Sequence, residues 1–531
     1  ERERERERER EAERGRERQR EGGREGEPHR LLSPPHAFPP FILLRTMTAL
    51  EDLRHSISAL LAGVGVSQAS VLVLTPHGPT KRTLLSFGCE GERAAFRLFS
   101  VTKLFTAAAV LRLVHRNVLS LESDVGALLT ASAQSGEDWA SLQGVTVAQL
   151  LSHTSGLTDT SLATIFATHD PSQPAPSTAE VLSRFKLHRR PLADNEQPSA
   201  AYANVNYLVL GLLIERLAEM PFCEALRTLV LGPLGSGADF TVLNPEHAAV
   251  GTIGPFSAFL FGVLLGCNTI SSLLRPGPPP PEVMPVRCGT RALRHVDLDG
   301  APYGGLVGTA PDIAPLVEAA LETAWHETVV AGKAPPTITA TTENNSSLHI
   351  LFDAALASAK KCAGLTQRAA ARTTAPKQDI RSIASLAFPS VKKPGPRAIQ
   401  GGGDALNFQM VPEIALQIAA REPVGIVSRE GACLGWKAGF CPARDGPLPL
   451  PAAHYRNHEG AGGGFTSELR IYLPAGPSMH TPRGMASTAD PLGVVVLMNK
   501  HSVDMHEVRV AHQICEMVRA AVFAGAFAAK E

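Results

Sequence analysis

Phe99-Ser100-Val101-Thr102-Lys103, with the run Leu104-Phe105-Thr106-Ala107-Ala108-Ala109-Val110-Leu111 behind it, decides how this chain folds. Val101, Leu104, Phe105, Ala108 and Leu111 follow the i, i+3, i+4, i+7 spacing of a helix laid on a core, beginning at or beside Ser100. Residues three apart on a helix share a face, so the Lys103 ammonium can reach the Ser100 hydroxyl. A serine hydroxyl is a weak nucleophile until a base takes its proton, and burial at a helix start lowers a lysine pKa toward that role. The same terminus offers backbone N–H groups to an oxyanion. The S-x-x-K tetrad alone is cheap: Ser358-Ala359-Lys360-Lys361 and Ser390-Val391-Lys392-Lys393 carry it too. An N-capping serine beside a solvated lysine is the plain alternative. Only Ser100 opens a strong amphipathic helix.

Moving outward, Ser70 to Leu74 and Arg82 to Phe87 read as a hairpin around the turn residues Pro76-His77-Gly78-Pro79. Asn206 to Leu217 is apolar almost all round and predicts a buried helix, with Tyr202 and Asn204 just before it. Order returns near Leu434-Gly435-Trp436. In Ser467 to Leu473, Leu469, Ile471 and Leu473 alternate with Glu468, Arg470 and Tyr472, the pattern of a half-buried strand. Leu492 to Met498 predicts another strand and His501 to Ala529 a closing helix. Strands at both ends with helices between imply an α+β fold, an antiparallel sheet whose halves are joined by a mainly helical region.

Phe99-Ser100-Val101-Thr102-Lys103, Leu150-Leu151-Ser152-His153-Thr154-Ser155-Gly156-Leu157, Tyr202-Ala203-Asn204, Gly232-Pro233-Leu234-Gly235, Gly304-Gly305-Leu306 and His458-Glu459-Gly460 occur in that order. Together they resemble the beta-lactamase-related serine hydrolases: class C beta-lactamases, D,D-peptidases, related esterases and eukaryotic beta-lactamase-like serine proteases. The resemblance covers roughly Met47 to Asn499 minus insertions, and it implies a beta-lactamase/transpeptidase-like fold. By the same resemblance Ser100 attacks a carbonyl, Lys103 helps deprotonate it, and Tyr202 shuttles the proton to the leaving group, a role that needs a phenol held near cations so that its phenolate is accessible. Asn204 would hydrogen-bond Lys103 or substrate. His458, Gly460 and Ala461 would line the substrate and oxyanion side, with the Ala461 and Ser100 N–H groups holding the oxyanion. His153-Thr154-Ser155-Gly156 is a structural turn in that family, and Tyr455-Arg456-Asn457 is a decoy by position.

At the third motif, penicillin-recognising members carry Lys-Thr-Gly, where this chain has His458-Glu459-Gly460. Histidine also occurs there in the esterase-like branch, and a neutral imidazole could donate to the intermediate or to Tyr202. A Glu459 carboxylate facing the cleft would repel an anionic substrate, which turns the expectation away from beta-lactams and toward an esterase, amidase or peptidase acting on neutral or cationic acyl groups. A catalytically inactive scaffold or binding protein is the other reading, and the joint presence of Ser100, Lys103, Tyr202 and Asn204 weighs against it.

Bulk properties bound the rest. The 531 residues are 44% apolar with a formal net charge of zero, which excludes a broad basic surface for nucleic acid. The eight cysteines are scattered, with no C-x-x-C pair or zinc spacing, so neither a metal nor a cofactor is expected. There is no complete G-x-S-x-G, Walker loop or HExxH. Boundaries fall at a charged low-complexity tail (1–46), hydrolase segments at 47–247, 291–325 and 431–531, an apolar and Pro-rich insertion (248–290) and a low-complexity insertion (326–430). Ala248 to Leu274 is long and uncharged enough to be weighed as a membrane span, but its Gly, Ser, Thr and Asn content favours an insertion. No secretion signal is visible, so the cytoplasm is the default compartment, with a mitochondrial one left open by the resemblance. The partner implied is a small-molecule or peptide acyl substrate.

Overall fold

The computed structural model describes residues 49–75, 81–88, 93–134, 137–159, 165, 168–169, 175–185, 187–190, 201–241, 247–253, 283–285, 291–293, 297–325, 432–441, 450, 453–473, 491–502 and 505–523. The 1–46 tail, the 326–430 insertion, most of the 248–290 insertion and the two decoy tetrads at Ser358 and Ser390 lie outside them. Of the apolar stretch, Gly251–Ile253 forms a short strand pairing with Arg291–Leu293, and residues 254–274 fall outside the described set. Among the described residues no helix is long and apolar enough to cross a membrane.

Seven strands form one antiparallel sheet: β1 (Ala69–Thr75), β2 (Lys81–Phe87), β3 (Ala432–Cys433), β4 (Trp436–Cys441), β5 (Ala453–Gly462), β6 (Phe465–Leu473) and β7 (Leu492–Met498). Their spatial order is β3-β4-β5-β6-β7-β1-β2, so the N-terminal hairpin closes against the last strand of the C-terminal meander. The side-chain period of two divides β1 between two cores. Val71 and Val73 face a layer made with α1 (Ala49–Gly63) and the C-terminal helix, whereas Leu72 and Leu74 face the helical region. That region is built on α2 (Thr102–His115), α3 (Asn204–Ala218) and α4 (Ala310–Trp325), and the C-terminal helix is α5 (His506–Phe523). This is the α+β arrangement the sequence implies.

Two expectations change in detail. Every residue of β6 is buried, Glu468, Arg470 and Tyr472 included, because α5 covers the face that a half-buried strand would give to water. The buried charges there are paired: Arg470 bridges Glu468 at 2.6 Å and Glu516 at 3.7 Å, and Arg519 bridges Glu516 at 2.9 Å. The helix behind Ser100 is likewise buried all round from Thr102 to Leu113 rather than along one stripe, since helices and sheet enclose it.

Candidate active site

The chain enters α2 through a 3-10 turn, Phe99–Val101, whose first residue, Phe99, is left-handed at φ 44°. Non-glycine residues adopt that region rarely, and the kink sets Ser100 at the turn rather than inside the helix. Ser100 is half-buried, and one turn along Lys103 is wholly buried. The two side chains meet at 3.0 Å, between Nζ and Oγ. Tyr202, from the extended segment before α3, donates its hydroxyl to Ser100 Oγ at 2.8 Å. The structure therefore brings together Ser100, Lys103 and Tyr202, residues up to 102 positions apart.

Lys103 donates to Asn204 Oδ1 at 2.8 Å and to the Tyr303 carbonyl at 3.0 Å, and its Nζ lies 5.0 Å from the Tyr202 ring centre. Burial pushes its pKa well below the ordinary lysine value; Asp159 opposes this and the Lys437 charge adds to it. A neutral amine is thereby accessible, which is what a general base requires. Tyr202 moves the other way. Burial raises its pKa well above 10 despite the bond to Ser100, and Asp159 raises it further. The expectation of an accessible phenolate is thus corrected: cations do lie near the ring, but desolvation and a carboxylate keep the group a phenol, fit to donate a proton rather than to take one.

Sequence reasoning missed Asp159. Its carboxylate accepts from the backbone N–H groups of Asn204 (2.9 Å) and Val205 (3.0 Å) and from Asn204 Nδ2 (3.0 Å). It serves as a remote cap on the first turn of α3, where helical N–H groups lack partners. By holding the Asn204 amide nitrogen it turns Oδ1 toward Lys103. No local signal marks it, because its partners lie 45 residues away. His153, at φ 58° in the turn after Leu151, accepts from Ala203 N (3.3 Å) and faces Asn206 Nδ2 at 3.0 Å, and its ring lies 4.5 Å from that of Tyr202. It braces the Tyr202 segment and does not reach for the nucleophile.

The third motif lies on β5. β4 pairs with β5 only as far as Lys437 opposite Asn457, so 458–462 form an open edge flanked by β6 alone among the described strands. The Ser100 turn packs there. A Cβ on Gly460 would meet the Leu98 carbonyl at 2.1 Å and Ser100 N at 3.0 Å, so only glycine lets the strand pass the nucleophile's backbone. Gly460 thus lies beside the Ser100 amide, and Ala461 follows it on the strand, opposite Thr466. Gly463 and Gly464 have positive φ and make the β5–β6 turn.

His458 is buried, with its ring 6.3 Å from that of Tyr202. Burial, then the Lys437 and Lys103 charges, lower its pKa to about 3, so the imidazole is neutral. Its Nδ1 lies 2.8 Å from the Glu459 carbonyl. A carbonyl only accepts, so Nδ1 carries the proton and Nε2 is left as an acceptor. The expected donation from His458 toward the intermediate or Tyr202 is corrected accordingly.

Glu459 does not present a carboxylate to the cleft. It points to the opposite face of the sheet, paired with Lys437 at 2.7 Å and His512 at 3.1 Å, and it accepts from Asn457 at 2.9 Å. Burial alone would raise its pKa, but Lys437 and His512 hold it well below the usual carboxylate range. The decoy Tyr455 shares that far face, with the Arg470 guanidinium 4.2 Å from its ring centre. Among the described residues no group of three or more His, Cys, Asp or Glu side chains is placed to hold a metal ion.

Comparison with known proteins adds to this geometry. The model of the beta-lactamase family matches residues 90–514. The chain is 30% identical over 142 residues to penicillin-binding protein 4* of Bacillus subtilis, covering 26% of this chain and 29% of that protein. It is 36% identical over 166 residues to esterase EstB of Burkholderia gladioli, covering 30% and 42%. These alignments span less than half of either relative. Among solved structures, a class C beta-lactamase from Rhodobacter sphaeroides aligns with 89% of this chain and 99% of its own at 13% identity and a TM-score of 0.46.

Proposed function

The chain belongs to the beta-lactamase family, a family of serine hydrolases, and from that premise we propose that it forms an acyl-enzyme on Ser100 as an esterase, amidase or peptidase rather than as a true beta-lactamase. The observation that carries this reading is the Ser100 hydroxyl held within 3.0 Å of a buried lysine and 2.8 Å of a phenol. Neutral Lys103 takes the Ser100 proton as Oγ bonds to the acyl carbon. The resulting oxyanion lies between the amides of Ser100 and Ala461, a type of stabilisation that removes several kcal/mol from such barriers. On collapse the leaving group takes a proton from Tyr202, and the proton held by Lys103 restores the phenol. Water then repeats the sequence on the acyl-enzyme. Asn204 fixes the Lys103 amine throughout.

The turn away from penicillins no longer rests on Glu459, whose charge is engaged behind the sheet. It rests on His458, which offers a neutral acceptor where Lys-Thr-Gly offers a cation and a hydroxyl. A fluorophosphonate probe with mass mapping tests the acyl-enzyme: label on Ser100, lost in Ser100→Ala and reduced at least about 100-fold in Lys103→Ala, is the expected result. A folded protein that takes no label would overturn it. Turnover of p-nitrophenyl esters well above that of nitrocefin is expected, and fast nitrocefin hydrolysis would sink the preference for other acyl groups.

A further inference from the structure

Lys437 has no place in the resemblance, yet it lies at the centre of the site's electrostatics. It sits at the start of β4, opposite Asn457, at the point where β5 loses its neighbour. From there its side chain joins two environments. Its Nζ is 2.7 Å from Glu459, which faces α5, and 5.6 Å from the centre of the Tyr202 ring in the cleft. Glu459 is in turn fixed by Asn457 and His512.

We propose that Lys437, anchored by Glu459 at the open edge of β5, is a positioning residue of the hydrolytic site that supplies a fixed positive charge beside Tyr202. The proposal rests on the hydrolase reading above. Its consequence is for Lys103. Two like charges in one dry site repel, so a permanent charge on Lys437 disfavours protonation of Lys103 and keeps the base ready. The same charge lowers the pKa of His458 and His153 along with that of Lys103. The groups facing Lys103 are Asp159, which opposes the effect, the neutral rings of Tyr202, Tyr207 and Tyr303, and the neutral imidazoles of His153 and His458. Lys437 faces Glu459, Tyr202 and His458, with His512 reaching it through Glu459. Lys437 and Lys103 are thus the amines whose charges compete there, and Lys437 is the one paired with a carboxylate, that of Glu459.

The pH dependence of fluorophosphonate labelling at Ser100 reads this without a known substrate. Labelling requires neutral Lys103, so its rate rises with pH along an acidic limb. Removing the competing charge in Lys437→Met raises the Lys103 pKa, and the limb moves to higher pH by about half a unit or more. Lys437→Arg keeps the charge and leaves the limb in place. Glu459→Gln frees the Lys437 charge from its counter-ion and moves the limb to lower pH. A purely structural Lys437 would lower the plateau in both Lys437 variants without moving the limb. An unmoved limb in Lys437→Met, with wild type labelled, overturns this proposal alone. Absence of label in folded wild type overturns the hydrolase reading and this proposal with it.

Discussion

His153 and His458 flank Tyr202, and burial holds both uncharged in the folded chain. That choice has a cost outside catalysis. An unfolded histidine takes a proton near pH 6.5, whereas His458 in the fold refuses one until about pH 3 and His153 is depressed in the same direction. As pH falls below about 6.5 the unfolded chain binds protons the native chain does not, so stability falls by up to about 1.4 kcal/mol per pH unit for each group. Urea midpoints measured between pH 7 and 5, above most carboxylate titrations, are expected to drop, and to drop less steeply in His458→Asn. Midpoints flat over that range would contradict the neutral assignment. At this scale Ser100, Lys103, Tyr202, Asn204 and the third motif are legible in the sequence, because each carries a short pattern of its own. Asp159 and Lys437 are not. They act through partners 45 and 22 positions away, a spacing that only the register of the fold converts into contact.

Among the elements, β6 shows what an alternating pattern can and cannot tell. Leu469, Ile471 and Leu473 alternate with Glu468, Arg470 and Tyr472, and alternation correctly gives a strand. It is silent on whether the second face meets water or a helix. Here it meets α5, so Glu459 and Glu468 stand directly opposite each other on adjacent strands with His512 between them, 3.1 and 3.4 Å away. Like charges in that position destabilise a sheet, and Arg470 and Lys437 offset them. Arg470→Leu strands the Glu468 carboxylate in a dry layer and is expected to lower unfolding free energy by about 3–5 kcal/mol. The double variant Arg470→Leu with Glu468→Gln removes the orphaned charge and is expected to recover much of the loss. Denaturant unfolding of both distinguishes an ion-pair network from mere packing, which would show no recovery.

At the scale of the molecule, strands from either side of the 326–430 insertion are woven into one sheet. β1 pairs with β7 from Ala69 opposite Met498 to Leu74 opposite Gly493, and the nucleophile's turn leans on β5, which lies beyond the 326–430 insertion. Neither side of that insertion holds a complete core or a complete site. A protease site introduced between residues 326 and 431 and cleaved in the folded protein is therefore expected to leave two fragments that co-elute under native conditions and still take label on Ser100. Separation on cleavage would mean that each part folds alone. So much long-range pairing also implies slow folding, since distant strands must meet before their contacts contribute.

The complete enclosure of Lys103 has a practical corollary. Reagents that acylate solvent-facing amines need access to the nitrogen, and this one is walled in by three tyrosine rings and by Asn204. The molecule can be biotinylated or attached to a bead through its surface amines with its proton acceptor untouched, so the immobilised form is expected to take label on Ser100, while acylation of the part-exposed Lys437 amine would shift the pH at which it does so.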